Sequence, residues 1–116
     1  MSFLNNAILA HTAWKGRLRK AITDRAKLDA AQISTDNNCD LGKWIYGEGQ
    51  ALKSRKEFEE LRQLHKRFHV CAGGVATDIN GGRVDAATSR IEQGDFSQVS
   101  REVVQAIEKL IAATKK

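Results

Sequence analysis

Proline is absent from this chain of 116 residues, so nothing obliges a helix to kink. Cysteine is nearly absent, with Cys39 and Cys71 alone, and histidine is scarce, with His11, His65 and His69 alone. No apolar run approaches the roughly 18 residues of a membrane span, which argues against membrane insertion. The opening Met1-Ser2-Phe3-Leu4-Asn5-Asn6 carries neither the basic region nor the apolar stretch of a secretion signal. The expected compartment is therefore the cytoplasm, where thiols stay reduced and Cys39 and Cys71 remain unpaired.

What is present is an ordinary globular balance: 41% hydrophobic and 28% charged residues, a size that suits one domain over residues 1–116. A chain this long can bury a core without disulfides, so a metal would add a function rather than rescue the fold. The net charge is +5, with basic clusters at Lys15–Lys20, Lys53–Lys56 and Lys66-Arg67. Nucleic acid is the alternative partner such clusters suggest. Acidic residues are interspersed and no nucleic-acid motif accompanies them, so a solvated helix surface is the preferred reading and no nucleic-acid partner is expected.

The apolar pattern is helical. Between residues 3 and about 30, Phe3, Leu4, Ala7, Ile8, His11, Trp14, Leu18, Ala21 and Ile22 share one face at about 100° per residue. Turn residues take over at Asp36-Asn37-Asn38. The glycine-bounded stretch from Cys39 to Gly47 has room for a turn or two of tight helix. From 55 to about 80, Phe58, Leu61, His65, Phe68, Ala72, Val75 and Ile79 recur at steps of three and four, and Gly81-Gly82 ends the run. A shorter helix is expected from Val84 to Gln93, stopped by Gly94. Asp95 or Ser97 can cap a last helix that presents Phe96, Val99, Val103, Ile107, Leu110 and Ile111. Short connections between amphipathic helices favour an all-α, antiparallel four-helix bundle, with a short extra helical turn carrying Cys39.

The histidines carry the chemistry. His65 and His69 lie one turn apart, about 40° round the helix, so two imidazoles can grip one ion. His11 sits in the apolar face of the first helix and should meet His65 in the core, and Cys39 can reach the same point from the connecting segment. A single histidine on an apolar face is commonly a hydrogen-bonded core residue, and an i, i+4 pair alone is weak evidence. Several buried imidazoles without partners are costly, however, and a shared metal accounts for all three. Three nitrogens and one thiolate suit zinc. Four protein ligands close the shell, and no glutamate accompanies the pair as in metalloprotease helices, so an enzyme is not expected and a zinc hydrolase is the least favoured reading. Cys71 lies about 160° from His69 round the helix and reads as a buried, inert residue.

His11 with Trp14, then Cys39-Asp40-Leu41-Gly42-Lys43-Trp44, then Leu64-His65-Lys66-Arg67-Phe68-His69, resemble in order the motifs of the chemoreceptor zinc-binding family. The resemblance covers nearly the whole chain. It implies a four-helix core, a zinc site of His11, Cys39, His65 and His69, and a symmetric homodimer. It further implies a role reporting zinc or oxidants to an attached or partner signalling module in bacterial chemotaxis or cyclic-di-GMP signalling. A purely structural zinc module that drives homodimerisation is the alternative. Trp14, Leu41, Trp44 and Phe68 are expected to pack around the donors and keep them dry. On the long helix, Val70, Gly73, Gly74, Thr77 and Gly81 fall within about 100° of one another and are expected to form the dimer contact. Each mid-helix glycine costs about 1 kcal/mol relative to alanine, and close approach of a second backbone would supply the reason for Gly73 and Gly74. A flexible or kinked helix at the glycine pair is the alternative.

Overall fold

The computed structural model describes residues 2–114. It is all-α: α1 (Ser2–Asp24), α2 (Ala30–Ile33), α3 (Asp40–Tyr46), a 3-10 helix (Glu48–Leu52), α4 (Lys56–Asn80), α5 (Val84–Glu92) and α6 (Asp95–Thr114). Among the described residues no helix is long and apolar enough to cross a membrane.

Four legs run alternately up and down. The first is α1, which lies parallel to α4: His11 meets His65 at 5.0 Å between ring centroids and Trp14 meets His69 at 6.2 Å. The chain then reverses. Leu28 N–H donates to Asn80 Oδ1 at 2.9 Å, Ser34 lies against Gly73, Cys39 reaches His65, and Trp44 packs on Phe58. The second leg therefore descends along α4, made of α2, α3 and the 3-10 helix in place of one long helix. The third leg is α4. The fourth is α5 and α6 together, both antiparallel to α4: Arg90 pairs with Asp78 at 3.4 Å, Phe96 packs on Phe68 at 5.3 Å, and Lys109 reaches Glu60 at 4.0 Å. At their joint, the N–H groups of Gln93 and Gly94 both donate to the Ser89 carbonyl, which breaks the helix without turning it back.

The core is the set of stripes read from the sequence. Leu4, Leu18, Phe58, Leu61, Phe68, Phe96, Val103, Ile107 and Leu110 are all buried, in one cluster. Each such side chain contributes about 1.5–3 kcal/mol by leaving water.

The first helix ends six residues earlier than its periodicity suggests. Arg25 adopts φ of 53°, its N–H donates to the Ile22 carbonyl, and Ala26 N–H donates back to Ala21 at 3.0 Å. That pair of bonds is a Schellman closure, made here on arginine where glycine is usual. The early stop matters for the site, because it frees residues 26–39 to return along α4.

Candidate metal centre

Four side chains from three legs converge at mid-bundle. His11 comes from α1, Cys39 from the residue before α3, and His65 and His69 from successive turns of α4. Their donor atoms all lie within 4.8 Å of one another. Cys39 Sγ is 3.2 Å from His65 Nε2 and 3.5 Å from His69 Nε2, and the two Nε2 atoms are 3.2 Å apart. The histidines are 0–3% exposed, and Cys39 alone keeps partial access to solvent.

Each orientation has a local cause. His11 Nδ1 donates to the Ala7 carbonyl at 2.9 Å, one turn back on α1, which leaves Nε2 buried without a partner. His69 Nδ1 donates to the Ile33 carbonyl at 2.9 Å, at the end of α2. His65 has no such anchor: its Nδ1 is buried and unpartnered, and its ring is held between its neighbours. Cys39 is the N-cap of α3, where Sγ accepts from Gly42 N–H at 3.4 Å. Gly42 has to be glycine, since a Cβ there would lie 1.8 Å from the Asp36 carbonyl oxygen.

The electrostatics favour a cation at the centre. Burial lowers the His11 pKa to about 4 and the His65 pKa to about 2, and it lowers that of His69 as well. The imidazoles are thus neutral and carry lone pairs aimed at one another. Burial also raises the Cys39 thiol, while the Gly42 and Leu41 N–H groups pull it down. A divalent cation would hold that sulfur as thiolate. With Zn–N of about 2.0–2.1 Å and Zn–S of about 2.3 Å, tetrahedral donors are spaced about 3.3 Å (N to N) and about 3.6 Å (N to S). The distances among Cys39, His65 and His69 match that spacing, and His11 Nε2, buried without a partner within 4.8 Å of the other three, completes the set by closing on the ion. The donor set fits zinc.

Around the donors, Phe68 packs edge-on against His11 at 4.9 Å and against His69 at 5.3 Å, and Trp14 packs on His69. Leu41 is buried beside Cys39. Trp44 stands apart from its expected position. It lies between Phe3 at 5.8 Å and Phe58 at 6.0 Å, where it fastens the base of α3 to the bundle instead of covering a donor.

Gly73 has its explanation inside the chain, and Gly74 faces only the movable end of the Arg90 side chain. A Cβ on Gly73 would fall 1.8 Å from Ser34 Oγ and 3.1 Å from Ser34 Cα, so Gly73 is buried beneath α2. One on Gly74 would fall 1.9 Å from the Arg90 guanidinium. At Gly73 the close approach is made within the chain, by Ser34 at the end of α2, and α4 runs unbroken through the pair. Val70, 57% exposed, and Thr77 remain open on α4. Gly81 lies beyond it, as its C-cap. Cys71 is buried away from the donors, its thiol pushed up to about 11 by burial and the neighbouring Asp95.

Three contributors to the site were not read from the sequence: the Ala7 and Ile33 carbonyls, which leave no side-chain signature, and Gly42, whose place after Leu41 was the available signal.

The family described as chemoreceptor zinc-binding domain matches residues 11–76, a span that begins at the first of the four donors and includes the other three. The chain belongs to that family, and zinc is its cofactor. No curated protein and no solved structure matches it.

Proposed function

We propose that this chain is a regulatory domain that reports zinc or oxidant level to an attached or partner signalling module, in bacterial chemotaxis or cyclic-di-GMP signalling. The observation that supports this reading most is the position of Cys39. It is at once a donor, 3.2 Å from His65 Nε2, and the cap that starts α3. Zinc, when bound, supplies a divalent charge that favours the thiolate. The chain does the rest. His11, His65 and His69 form a buried three-nitrogen seat, and Cys39 carries Leu41 and Ile45, both buried, onto the bundle. Loss of the metal or oxidation of Cys39 uncouples α3 from α4, an order change that biases bundle packing.

In this reading the domain is not an enzyme. Four protein donors close a tetrahedral shell, whereas hydrolytic sites keep one position for water. It acts as a single cytoplasmic unit over 1–116 and as a homodimer, for which exposed Val70 is the natural probe. The deciding experiment measures metal content and helicity before and after chelation. Retained helicity with altered packing supports a sensor. Collapse of the fold would instead identify a structural zinc module.

A further inference from the structure

A cleft of about 400 Å³ opens from the surface down to Cys39 and His11, between α1 and the start of α3. Its walls are Phe3, Ala7, Ala10, Trp14 and Leu41, with Asn6 the one uncharged polar side chain among them. Ala7 and Ala10 create the space, because two small residues lie on adjacent turns of α1 where larger side chains would close it. One water takes about 30 Å³ of liquid, so the cleft holds an order of magnitude more than hydrogen peroxide or hypochlorite needs. Its rim carries one charge of each sign. Arg17 is stacked over Trp14, 4.0 Å from the ring centroid, and Asp40 adjoins Cys39. The pair gives no net attraction to ions, and Asp40 repels a second anion approaching the sulfur. Cys39 is also the one donor that keeps access to solvent.

We propose that this cleft admits uncharged organic hydroperoxides to Cys39, the apolar body of the peroxide lodging against Phe3, Ala10 and Leu41. The inference rests on the reading of Cys39 as a redox-responsive donor and adds the class of reagent. In the step itself, an electron pair of the Cys39 thiolate attacks the hydroxyl oxygen of the peroxide. The S–O bond forms as the O–O bond breaks, sulfur loses two electrons, and the alkoxide leaves and takes a proton from water to become the alcohol. The product is Cys39 sulfenic acid, a poorer metal donor than thiolate.

The test uses the zinc-loaded chain with cumene hydroperoxide and with hydrogen peroxide. Sulfenic acid at Cys39 is trapped with a 1,3-diketone and located by mass spectrometry, and released zinc is read with a chromogenic chelator. Rates are expressed relative to those of free N-acetylcysteine. The cleft should favour cumene hydroperoxide by about tenfold on that scale, the selectivity that modest apolar burial supports. Ala10→Trp, at an exposed position of α1, should abolish the preference. Ala10→Leu serves if the tryptophan variant fails to load zinc. A preference no greater than that of the free thiol, or one that survives filling of the cleft, overturns the proposal. If neither peroxide modifies Cys39, the redox reading of the site falls with it.

Discussion

His69 is held between two partners that belong to different parts of the bundle. Its Nδ1 donates to the Ile33 carbonyl at 2.9 Å, while its Nε2 faces Cys39 Sγ at 3.5 Å. A metal bound at Nε2 fixes the tautomer with its proton on Nδ1, and so strengthens the bond to Ile33. Zinc should therefore order α2, which offers it no ligand. Hydrogen exchange measured with and without zinc should show slowing at residues 33–36 as well as at Cys39–Lys43. Protection confined to the cysteine segment would show that α2 is indifferent to the metal.

Removal of a donor should abolish tight zinc binding. Loss of an outer partner of a metal ligand costs roughly 10–100-fold in affinity, so loss of a ligand itself should exceed about 100-fold. Cys39→Ala and His65→Ala are the two variants to compare by zinc analysis. His65 is fully buried against Cys39 and His69, so its replacement leaves a cavity, and circular dichroism should accompany the zinc analysis to show that the fold persists. Full zinc retention in both variants would contradict the assignment.

The sequence revealed the helices wherever one face was continuously apolar, because burial and periodicity carry the same information there. The stripe of α4 and the stripe of α6 are examples, and His11 and His65 were found because they interrupt such stripes. Three features stayed hidden for physical reasons. Arg25 closes α1 in a conformation that glycine normally marks, so no residue signalled the early stop. The direction of the second leg depends on contacts distant in sequence, among them Leu28 with Asn80 and Ser34 with Gly73. The role of Gly73 turned on which segment covers it, and a glycine on a helix shows only that something comes close.

Stability of the metal-free protein should fall as pH drops below 6.5. The folded-state pKa of His11 is about 4, against 6.5 for the free side chain. Between those values the unfolded chain takes up a proton that the fold excludes, which favours unfolding. Above pH 6.5 neither state is protonated there, and the penalty vanishes. Each such histidine contributes about 1.4 kcal/mol per pH unit within its window, so His11 accounts for roughly 3 kcal/mol between pH 6.5 and 4. His65, lowered further, extends the loss to more acidic pH. Urea midpoints recorded from pH 7.5 to 4 are the check, and a flat profile across that range would show that the imidazoles ionise within the fold.

Gly42→Ala should weaken zinc binding while leaving the bundle folded. The missing side chain lets the backbone at Asp36 lie directly on α3, and an added Cβ would sit 1.8 Å from the Asp36 oxygen and 2.8 Å from its carbonyl carbon. Backbone atoms on both sides must move, since no side chain can rotate away. Overpacking of this kind costs about 1–3 kcal/mol. The strain falls on the 36–42 segment, because α4 is packed along its whole length and the segment is not. Displacement of that segment carries Cys39 with it and lengthens the Gly42 N–H to Sγ contact, now 3.4 Å. The two effects act on the same atom, so zinc affinity should drop by about 10–100-fold, the range for a disturbed ligand support. Competition with a chromogenic chelator gives the affinity, and circular dichroism of the metal-free variant should overlay that of the parent. Unchanged affinity would mean that the segment adapts without moving the sulfur. A loss of helicity as large as that of a core substitution such as Phe68→Ala would place the strain in the bundle itself.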